Sequence, residues 1–248
     1  MIPTIVLVHG AFAESASWDR VIEPLRAAGH PVMAAANPLR GLASDAAAIS
    51  DLVRTIEGPV VLVGHSYGGA VTSNVDADAG DIVGLVYVAA FAPEPGESCI
   101  TLVGMFPGST LGEALEPVLR SDGATDLSIR GDRFHDLFAA DVPAAHAARM
   151  AATQRPVTQE ALGAPSGGRP LWRERPSWFV FGQADRTIPA ALERHMARRA
   201  GAHRTIEIPG ASHAISVAHP QATADLILAA AAVRGGAPRA GRAYGEPA

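Results

Sequence analysis

Residues 60–70 read VVLVGHSYGGA, an apolar run typical of a buried strand that leads directly into Gly64-x-Ser66-x-Gly68. A serine hydroxyl is a weak nucleophile, so it must be presented at the tip of a tight strand-to-helix turn, within reach of a base. Gly64 and Gly68 leave room because this turn brings backbone segments close together. An ordinary Gly/Ser turn is the alternative, but the strand before the motif and the small residues after it favour a nucleophile elbow with Ser66 as the nucleophile.

A second apolar run ends in a histidine–glycine turn near the N-terminus. Residues 5–12 read IVLVHGAF, which predicts a buried strand followed by a loop at its carboxyl end. The backbone N–H of Ala11 would point into a cleft there, together with the N–H of Tyr67, the residue after the predicted nucleophile. Two such donors would form an oxyanion hole. Phe12 is the weaker candidate for a donor in this loop.

One histidine has the surroundings expected of a catalytic base. His213 ends a glycine-bearing loop that follows the strand-like segment 204–208, just before the last predicted helix. The others are predicted at helix ends, on the polar surface, in an insert or in structural positions beside the two glycine turns. They are His9, His30, His65, His135, His146, His195, His203 and His219.

The base requires a carboxylate that sets its tautomer and stabilises the imidazolium. Asp185 follows another buried strand, residues 177–182, and completes the chain order Ser66, Asp185, His213 that this type of elbow uses. Glu94 is the competing acid because it follows the strand-like run at 83–90. Its flanking prolines favour a role in leading the chain into the insert instead. Asp185 is therefore the predicted acid.

Four segments together resemble a known family. The chain is similar to members of the α/β-hydrolase superfamily, and within it to the small plant methylesterase and hydroxynitrile lyase group and related bacterial esterases. That resemblance spans about residues 4–233 and implies a Ser66–His213–Asp185 triad, an oxyanion hole of the Ala11 and Tyr67 N–H groups, and no cofactor. The matching segments are VHGA at 8–11, VGHSYGG at 63–69, AAFAP at 89–93 and GASH at 210–213.

Departures from the lyase branch favour hydrolysis. Those lyases use a cap lysine for the cyano group, whereas this chain contains no lysine. They also carry threonine at the position of Gly10 and glutamate at that of His65, where esterase-type members have glycine and histidine. The resemblance therefore implies an esterase for a small, mostly apolar carboxylic ester. A lyase or cyclase acting on a specialised metabolite and a slow-turnover ligand receptor are the alternatives.

Apolar strands alternate with helical patterns, which predicts an α/β fold with a six-stranded, mostly parallel sheet flanked by helices. Strands are expected at 4–8, 31–35, 59–63, 83–90, 177–182 and 204–208, and helices at about 17–28, 44–57, 66–78, 189–200 and 219–233. The predicted core comprises residues 1–93 and 176–233. The tail, residues 234–248, is rich in Gly, Ala, Pro and Arg and is expected to be disordered.

Residues 94–175 interrupt the alternation and predict a small helical cap after the fourth strand. Helices are expected at 111–119 and 142–153, with loops at 104–109 and 163–170. Because such an insert lies above the carboxyl ends of the strands, it should form the substrate pocket. The candidate lining residues, for which packing inside the cap is the alternative, are Phe12, Met105, Phe106, Phe134, Phe138 and Met150.

Composition narrows the classes of protein further. The net charge of −5 and the scattered arginines give no indication of nucleic-acid binding. The single cysteine, Cys99, excludes an internal disulfide, and no metal site is predicted. The first strand begins too early for a signal peptide, and no apolar run approaches the roughly 20 residues of a membrane helix, so a cytoplasmic location is expected. The oligomeric state stays open, with a homodimer as one alternative.

Overall fold

The computed structural model describes residues 1–233, so the predicted disordered tail, residues 234–248, lies outside the described residues. The strands are β1 (Thr4–Val8), β2 (Val32–Ala35), β3 (Pro59–Ser66), β4 (Asp81–Ala90), β5 (Leu115–Leu119), β6 (Thr125–Ile129), β7 (Val157–Thr158), β8 (Ser177–Gly182) and β9 (Arg204–Ile208). The helices are α1 (Asp19–Ala27), α2 (Leu42–Arg54), α3 (Tyr67–Ser73), α4 (Cys99–Val103), α5 (Leu111–Ala114), α6 (Gly131–Phe138), α7 (Ala144–Thr153), α8 (Gln159–Gly163), α9 (Ala190–Arg199), α10 (Ile215–Ala218) and α11 (Pro220–Ala232), with 3-10 turns at Ser15–Trp18 and Leu171–Arg173.

Six parallel strands form the main sheet, in the order β2-β1-β3-β4-β8-β9. Every residue of β1 and β8 is buried, which explains why these strands read as continuous apolar runs rather than as alternating patterns. Helix α1 packs against α11, and α2 packs against α3. The predicted six-stranded α/β fold is confirmed.

The parallel arrangement brings the predicted site residues to one edge of the sheet. All six strands end at the same edge, so the carboxyl end of β3 and the loops after β1, β8 and β9 converge there. Ser66 is the last residue of β3, and the three loops carry Ala11, Asp185 and His213 respectively. Among residues 1–233, no helix is long and apolar enough to cross a membrane.

The helix after the elbow is shorter than predicted. The pattern indicated a helix over 66–78, but α3 ends at Ser73. Beyond it, the N–H of Asp76 donates to the Ser50 hydroxyl at 3.0 Å rather than to a helical carbonyl. A contact with another element therefore ends a helix that the local sequence could have continued.

The insert between β4 and β8 contains a sheet as well as helices. Strands β5, β6 and β7 form a three-stranded antiparallel sheet, so the prediction of a helix over 111–119 was wrong beyond Ala114. Pro117 lacks an N–H and is unfavourable inside a helix, but it is tolerated in the edge strand β5, where it lies opposite Leu127. The predicted helix over 142–153 corresponds to α7.

Candidate active site

Ser66 occupies a strained position at the end of β3. Its φ of +54° and ψ of −124° lie where side-chain-bearing residues are rare, and it directly precedes α3. A Cβ on Gly64 would lie 2.6 Å from the carbonyl oxygen of Gly68, and a Cβ on Gly68 would collide with the carbonyl oxygen of Val8. Both glycines are therefore required for the close approach of backbone that holds Ser66 at the tip of the turn.

Asp185 and His213 form a buried pair. The Nδ1 of His213 lies 2.6 Å from the Oδ2 of Asp185, and both side chains are fully buried. The other oxygen, Oδ1, accepts the N–H groups of Thr187 at 2.7 Å and Ile188 at 2.9 Å. Because the carboxylate can only accept, Nδ1 carries the proton and Nε2 is left with a free lone pair.

The free lone pair of His213 has no partner among residues 1–233, although Nε2 is buried. The elbow lies against this histidine: the Nε2–H of His65 donates to the His213 carbonyl at 3.1 Å, and the two imidazole centroids are 4.8 Å apart. Burial lowers the pKa of His65 well below its usual value, so its ring stays neutral. In enzymes, the hydrogen bond between a catalytic base and its nucleophile often tightens only when substrate binds, so an unpartnered Nε2 is compatible with His213 as the base.

The loop after β1 contains the two candidate donors, Ala11 and Phe12. The N–H of Phe12 donates to the carbonyl of Arg155 at 3.2 Å, which leaves Ala11 as the free one of the two. Among residues 1–233, no acceptor takes the Ala11 N–H. Tyr67 is the first residue of α3, where N–H groups lack helical partners. Its hydroxyl donates to the buried Asp45 at 2.8 Å, which anchors the start of the helix.

Glu94, the competing acid, is directed elsewhere. Its carboxylate forms an ion pair with Arg173 at the surface. Asp185 is therefore the acid that the fold brings to His213.

The Cys99 thiol is buried, and burial raises its pKa, so it has no thiolate character at neutral pH. Within residues 1–233, no group of three or more His, Cys, Asp or Glu side chains is arranged to hold a metal ion.

The predicted pocket residues fall into three groups. Phe12 and Met150 line a cavity of about 350 Å³ between the loop after β1 and α7. Phe138 packs edge-on against His213, with ring centroids 4.8 Å apart, and Phe134 packs against Phe138. Met105 and Phe106 lie apart from this cavity: Met105 is 52% exposed, and Phe106 contacts His195 of α9.

Several polar residues around the site were not predicted. The Ser212 hydroxyl, next to His213, donates to Asp141 of the cap at 2.5 Å, and Asp141 also bonds His219 at 2.8 Å. Asn37 and Arg155 contact the loop after β1. Asn37 follows β2 at the carboxyl edge of the sheet, which is a usable sequence signal, whereas a single cap arginine or aspartate has none.

Glu193 of α9 is a buried carboxyl group close to the site. It is fully buried, and neither carboxyl oxygen has a hydrogen-bond partner among residues 1–233. Burial, with the nearby charge of Asp185, raises the pKa of Glu193 well above its usual value. The folded protein therefore keeps this carboxyl protonated at neutral pH, while the unfolded chain releases the proton above its ordinary pKa.

The Glu193→Gln variant should consequently be more stable than the wild type at pH 8. A raised folded-state pKa means that stability is greatest below the unfolded pKa and falls as the pH rises above it. Glutamine removes this pH-dependent loss, and each 1 kcal/mol removed should raise the Tm by about 2–4 °C for a chain of this size. Thermal denaturation at pH 5 and pH 8 measures the effect, which should be larger at pH 8.

The exposed Glu113 provides the control for this measurement, because Glu113→Gln should change the Tm equally little at both pH values. An identical Tm change at pH 5 and pH 8 in Glu193→Gln would show that Glu193 is ionised in the folded state.

Comparisons with known proteins show the family of this chain. Residues 5–226 match the Alpha/beta hydrolase family. A pyrethroid hydrolase of Sphingobium wenxiniae is 29% identical over 247 residues, covering 90% of this chain and 85% of the relative. A carbendazim hydrolyzing esterase of a Nocardioides species is 36% identical over 111 residues, covering 40% of this chain and 46% of the relative.

Solved structures show the same fold. The crystal structure of a pyrethroid hydrolase superimposes with a TM-score of 0.75 at 22% identity, covering 94% of this chain and 99% of that one. Polyneuridine aldehyde esterase superimposes with a TM-score of 0.76 at 18% identity, covering 92% and 99%. The resemblance to the plant methylesterase group and to bacterial esterases is thus confirmed, and the chain belongs to the alpha/beta hydrolase family.

Proposed function

We propose that this protein is a cofactor-free serine hydrolase that cleaves a small, mostly apolar carboxylic ester through an acyl-enzyme intermediate. The observation that carries the proposal is the buried 2.6 Å contact between His213 and Asp185, which lies beside the elbow that presents Ser66. This contact places a proton at Nδ1, so that the lone pair of the imidazole base lies at Nε2, as a general base requires.

Each residue of the candidate site has its own role in the proposed reaction. Ser66 Oγ attacks the ester carbonyl while its proton passes to His213 Nε2, and the N–H groups of Ala11 and Tyr67 bind the oxyanion. Collapse of this intermediate breaks the C–O bond, and the imidazolium returns the proton to the departing alcohol. Water then attacks the acyl-enzyme with His213 as base, which releases the acid and regenerates Ser66. Asp185 orients His213 and stabilises its cationic form.

The substrate class is supported by the surroundings of the site. Phe138 packs against His213, and Phe12 directly follows Ala11 in the loop after β1. These aromatic side chains suit an apolar group attached to the ester. The two relatives described above are named for hydrolysing a pyrethroid and carbendazim, which supports hydrolysis of a carboxylic ester or a closely related acyl bond.

The space around Gly10 favours hydrolysis over cyanohydrin cleavage. A Cβ at this position would lie 2.6 Å from the Cβ of Ser66 and 2.8 Å from the carbonyl of His65. The threonine that the lyases carry there would displace the elbow. The absence of lysine from the sequence also removes the group that those lyases direct at the cyano leaving group.

A chain-length series of p-nitrophenyl esters tests the proposal. We expect hydrolysis of the acetate and butyrate with a rapid initial release of p-nitrophenol, followed by slower turnover as the acyl-enzyme is hydrolysed. Because Ser66 and His213 are both buried, kcat/KM should fall about tenfold or more from butyrate to palmitate.

Two results would contradict the proposal. Saturable binding of the esters with negligible turnover would indicate the receptor alternative. No activity on any ester in the series, together with product formation from a specialised metabolite, would indicate a lyase or cyclase.

A further inference from the structure

Arg155, which follows α7 in the cap, contacts the loop that carries Ala11. Its backbone carbonyl accepts the N–H of Phe12 at 3.2 Å. Its guanidinium donates to the carbonyl of Asn37 at 2.9 Å and lies 3.3 Å from the Nε2 of His9. One cap residue therefore binds the loops after β1 and β2 at the edge of the sheet where the site lies.

The partners of Arg155 are themselves connected. The N–H of Asn37 donates to His9 Nε2 at 3.2 Å, and the side-chain amide of Asn37 donates to the His9 carbonyl at 2.9 Å. Burial, with a smaller contribution from the charge of Arg155, lowers the pKa of His9 to about 4. His9 is thus neutral at physiological pH, and its Nε2 acts as an acceptor for both neighbours.

The guanidinium of Arg155 is placed by neutral acceptors rather than by an ion pair. Within residues 1–233, no carboxylate lies within 4.0 Å of it. The residue before it, Gln154, forms two hydrogen bonds with the backbone of Ile129 in β6, at 2.8 and 2.9 Å. The segment 154–155 consequently joins the cap sheet to the loop after β1.

The backbone of that loop requires an external contact. Phe12 has a φ of +59°, a conformation that costs on the order of 1 kcal/mol or more for a residue with a side chain. The bond from its N–H to Arg155 holds it there and keeps this N–H away from the elbow. Ala11, the preceding residue, is the other candidate donor, and its N–H belongs to the peptide next to the one that this bond holds.

We infer that Arg155 is a positioning residue for the oxyanion hole: by holding His9 on one side of Ala11 and Phe12 on the other, it keeps the Gly10–Ala11 peptide, which carries the Ala11 N–H, in the orientation that the reaction needs. This inference rests on the proposed function. The catalytic rate would then depend on Arg155, although Arg155 does not touch the substrate, because Arg155 sets the direction of the Ala11 N–H.

Kinetics of Arg155→Met and Arg155→Lys with p-nitrophenyl butyrate test the inference. Arg155→Met keeps the backbone carbonyl that accepts the Phe12 N–H but removes the guanidinium contacts with Asn37 and His9 that hold this carbonyl in place. Removing one oxyanion donor costs about 10²–10³ in kcat, so the resulting displacement of the Ala11 N–H should lower kcat about 10- to 100-fold while KM changes less than about threefold. Arg155→Lys keeps a donor toward Asn37 and should recover part of the rate. A trifluoromethyl ketone, which adds Ser66 Oγ and places an oxyanion in the hole, should bind more weakly in proportion to the loss in kcat/KM.

Arg40 provides a matched control. Its guanidinium also joins core and cap, donating to Asp126 at 2.6 Å and to the Pro156 carbonyl at 2.7 Å, but it has no contact with the loop after β1. Arg40→Met should therefore keep kcat within about twofold of wild type. Equal losses in Arg40→Met and Arg155→Met would overturn the inference, because attachment of the cap in general would then explain both.

Hydrogen–deuterium exchange separates this inference from the proposed function. Peptides covering residues 9–14 should exchange faster in Arg155→Met than in wild type or Arg40→Met, whether or not an ester is hydrolysed. Unchanged exchange there would overturn the inference. Faster exchange in a protein whose wild type cleaves no ester would refute the proposed function alone. If Arg155→Met fails to fold, Arg155→Lys and Arg155→Gln serve in the same measurements.

Discussion

Replacing Ser66 by alanine should reduce ester hydrolysis to background, a loss on the order of 10⁶ in kcat if the residue acts as the nucleophile of a serine triad. The wild-type protein should react with a fluorophosphonate once per chain, at Ser66, and Ser66→Ala should not react. Intact mass spectrometry after labelling, followed by peptide mapping, measures both outcomes.

The variant should fold as the wild type does. Ser66 owes its strained backbone to the close packing of Gly64 and Gly68 around the turn, and alanine keeps the same Cβ. Ser50→Ala is the matched control, because Ser50 is also a buried serine but lies in α2, bonded to the Ala46 carbonyl. It should retain labelling. Fluorophosphonate attached to another residue, or none attached to the folded wild type, would refute the assignment of Ser66.

The second large effect is expected at the acid. Asp185→Asn should lower kcat by about 10⁴, the loss seen when a triad histidine is left in the wrong tautomer. The asparagine oxygen can keep the bonds from Thr187 and Ile188, so its NH₂ group would face His213 Nδ1. Nδ1 must then accept, which transfers the proton to Nε2 and removes the lone pair needed to take the Ser66 proton.

Glu94→Gln is the matched comparison, since it removes the charge of the only other acid considered for this role. Its carboxylate pairs with Arg173 at the surface, and exposed pairs contribute little to stability. We expect kcat within about twofold of wild type. Steady-state kinetics of both variants distinguish Asp185 from Glu94 as the acid, and circular dichroism verifies that both variants are folded. If Glu94→Gln were the impaired variant, the acid would be Glu94 and Asp185 would only brace its loop.

The fold and the tight turn at Ser66 could be predicted because their signals are local. Continuous apolar runs indicate strands buried on both faces, and the spacing of Gly64, Ser66 and Gly68 reflects steric contacts within one turn. The contact between Asp185 and His213 could also be predicted. Parallel strands end at the same edge, so the loops after the neighbouring strands β8 and β9, which carry these two residues, lie close together.

The cap was harder to predict because its contacts are formed between distant segments. Leu115–Leu119 has no strong pattern of its own and becomes a strand through pairing with β6. The early end of α3 similarly depends on Ser50, which lies in another helix. Local propensity is weak in such segments, and tertiary contacts decide between the alternatives.

The sequence by itself determined the class of fold, the elbow and the order of the three candidate catalytic residues, because short-range sterics and strand direction specify them. Only the tertiary structure decided which of the two candidate N–H groups, that of Ala11 or that of Phe12, is free, since that depends on the Arg155 carbonyl reaching Phe12. It also revealed Glu193 as a carboxyl buried without a partner among residues 1–233. Such contacts join residues far apart in the chain, and their energies depend on burial and distance, which no local pattern encodes.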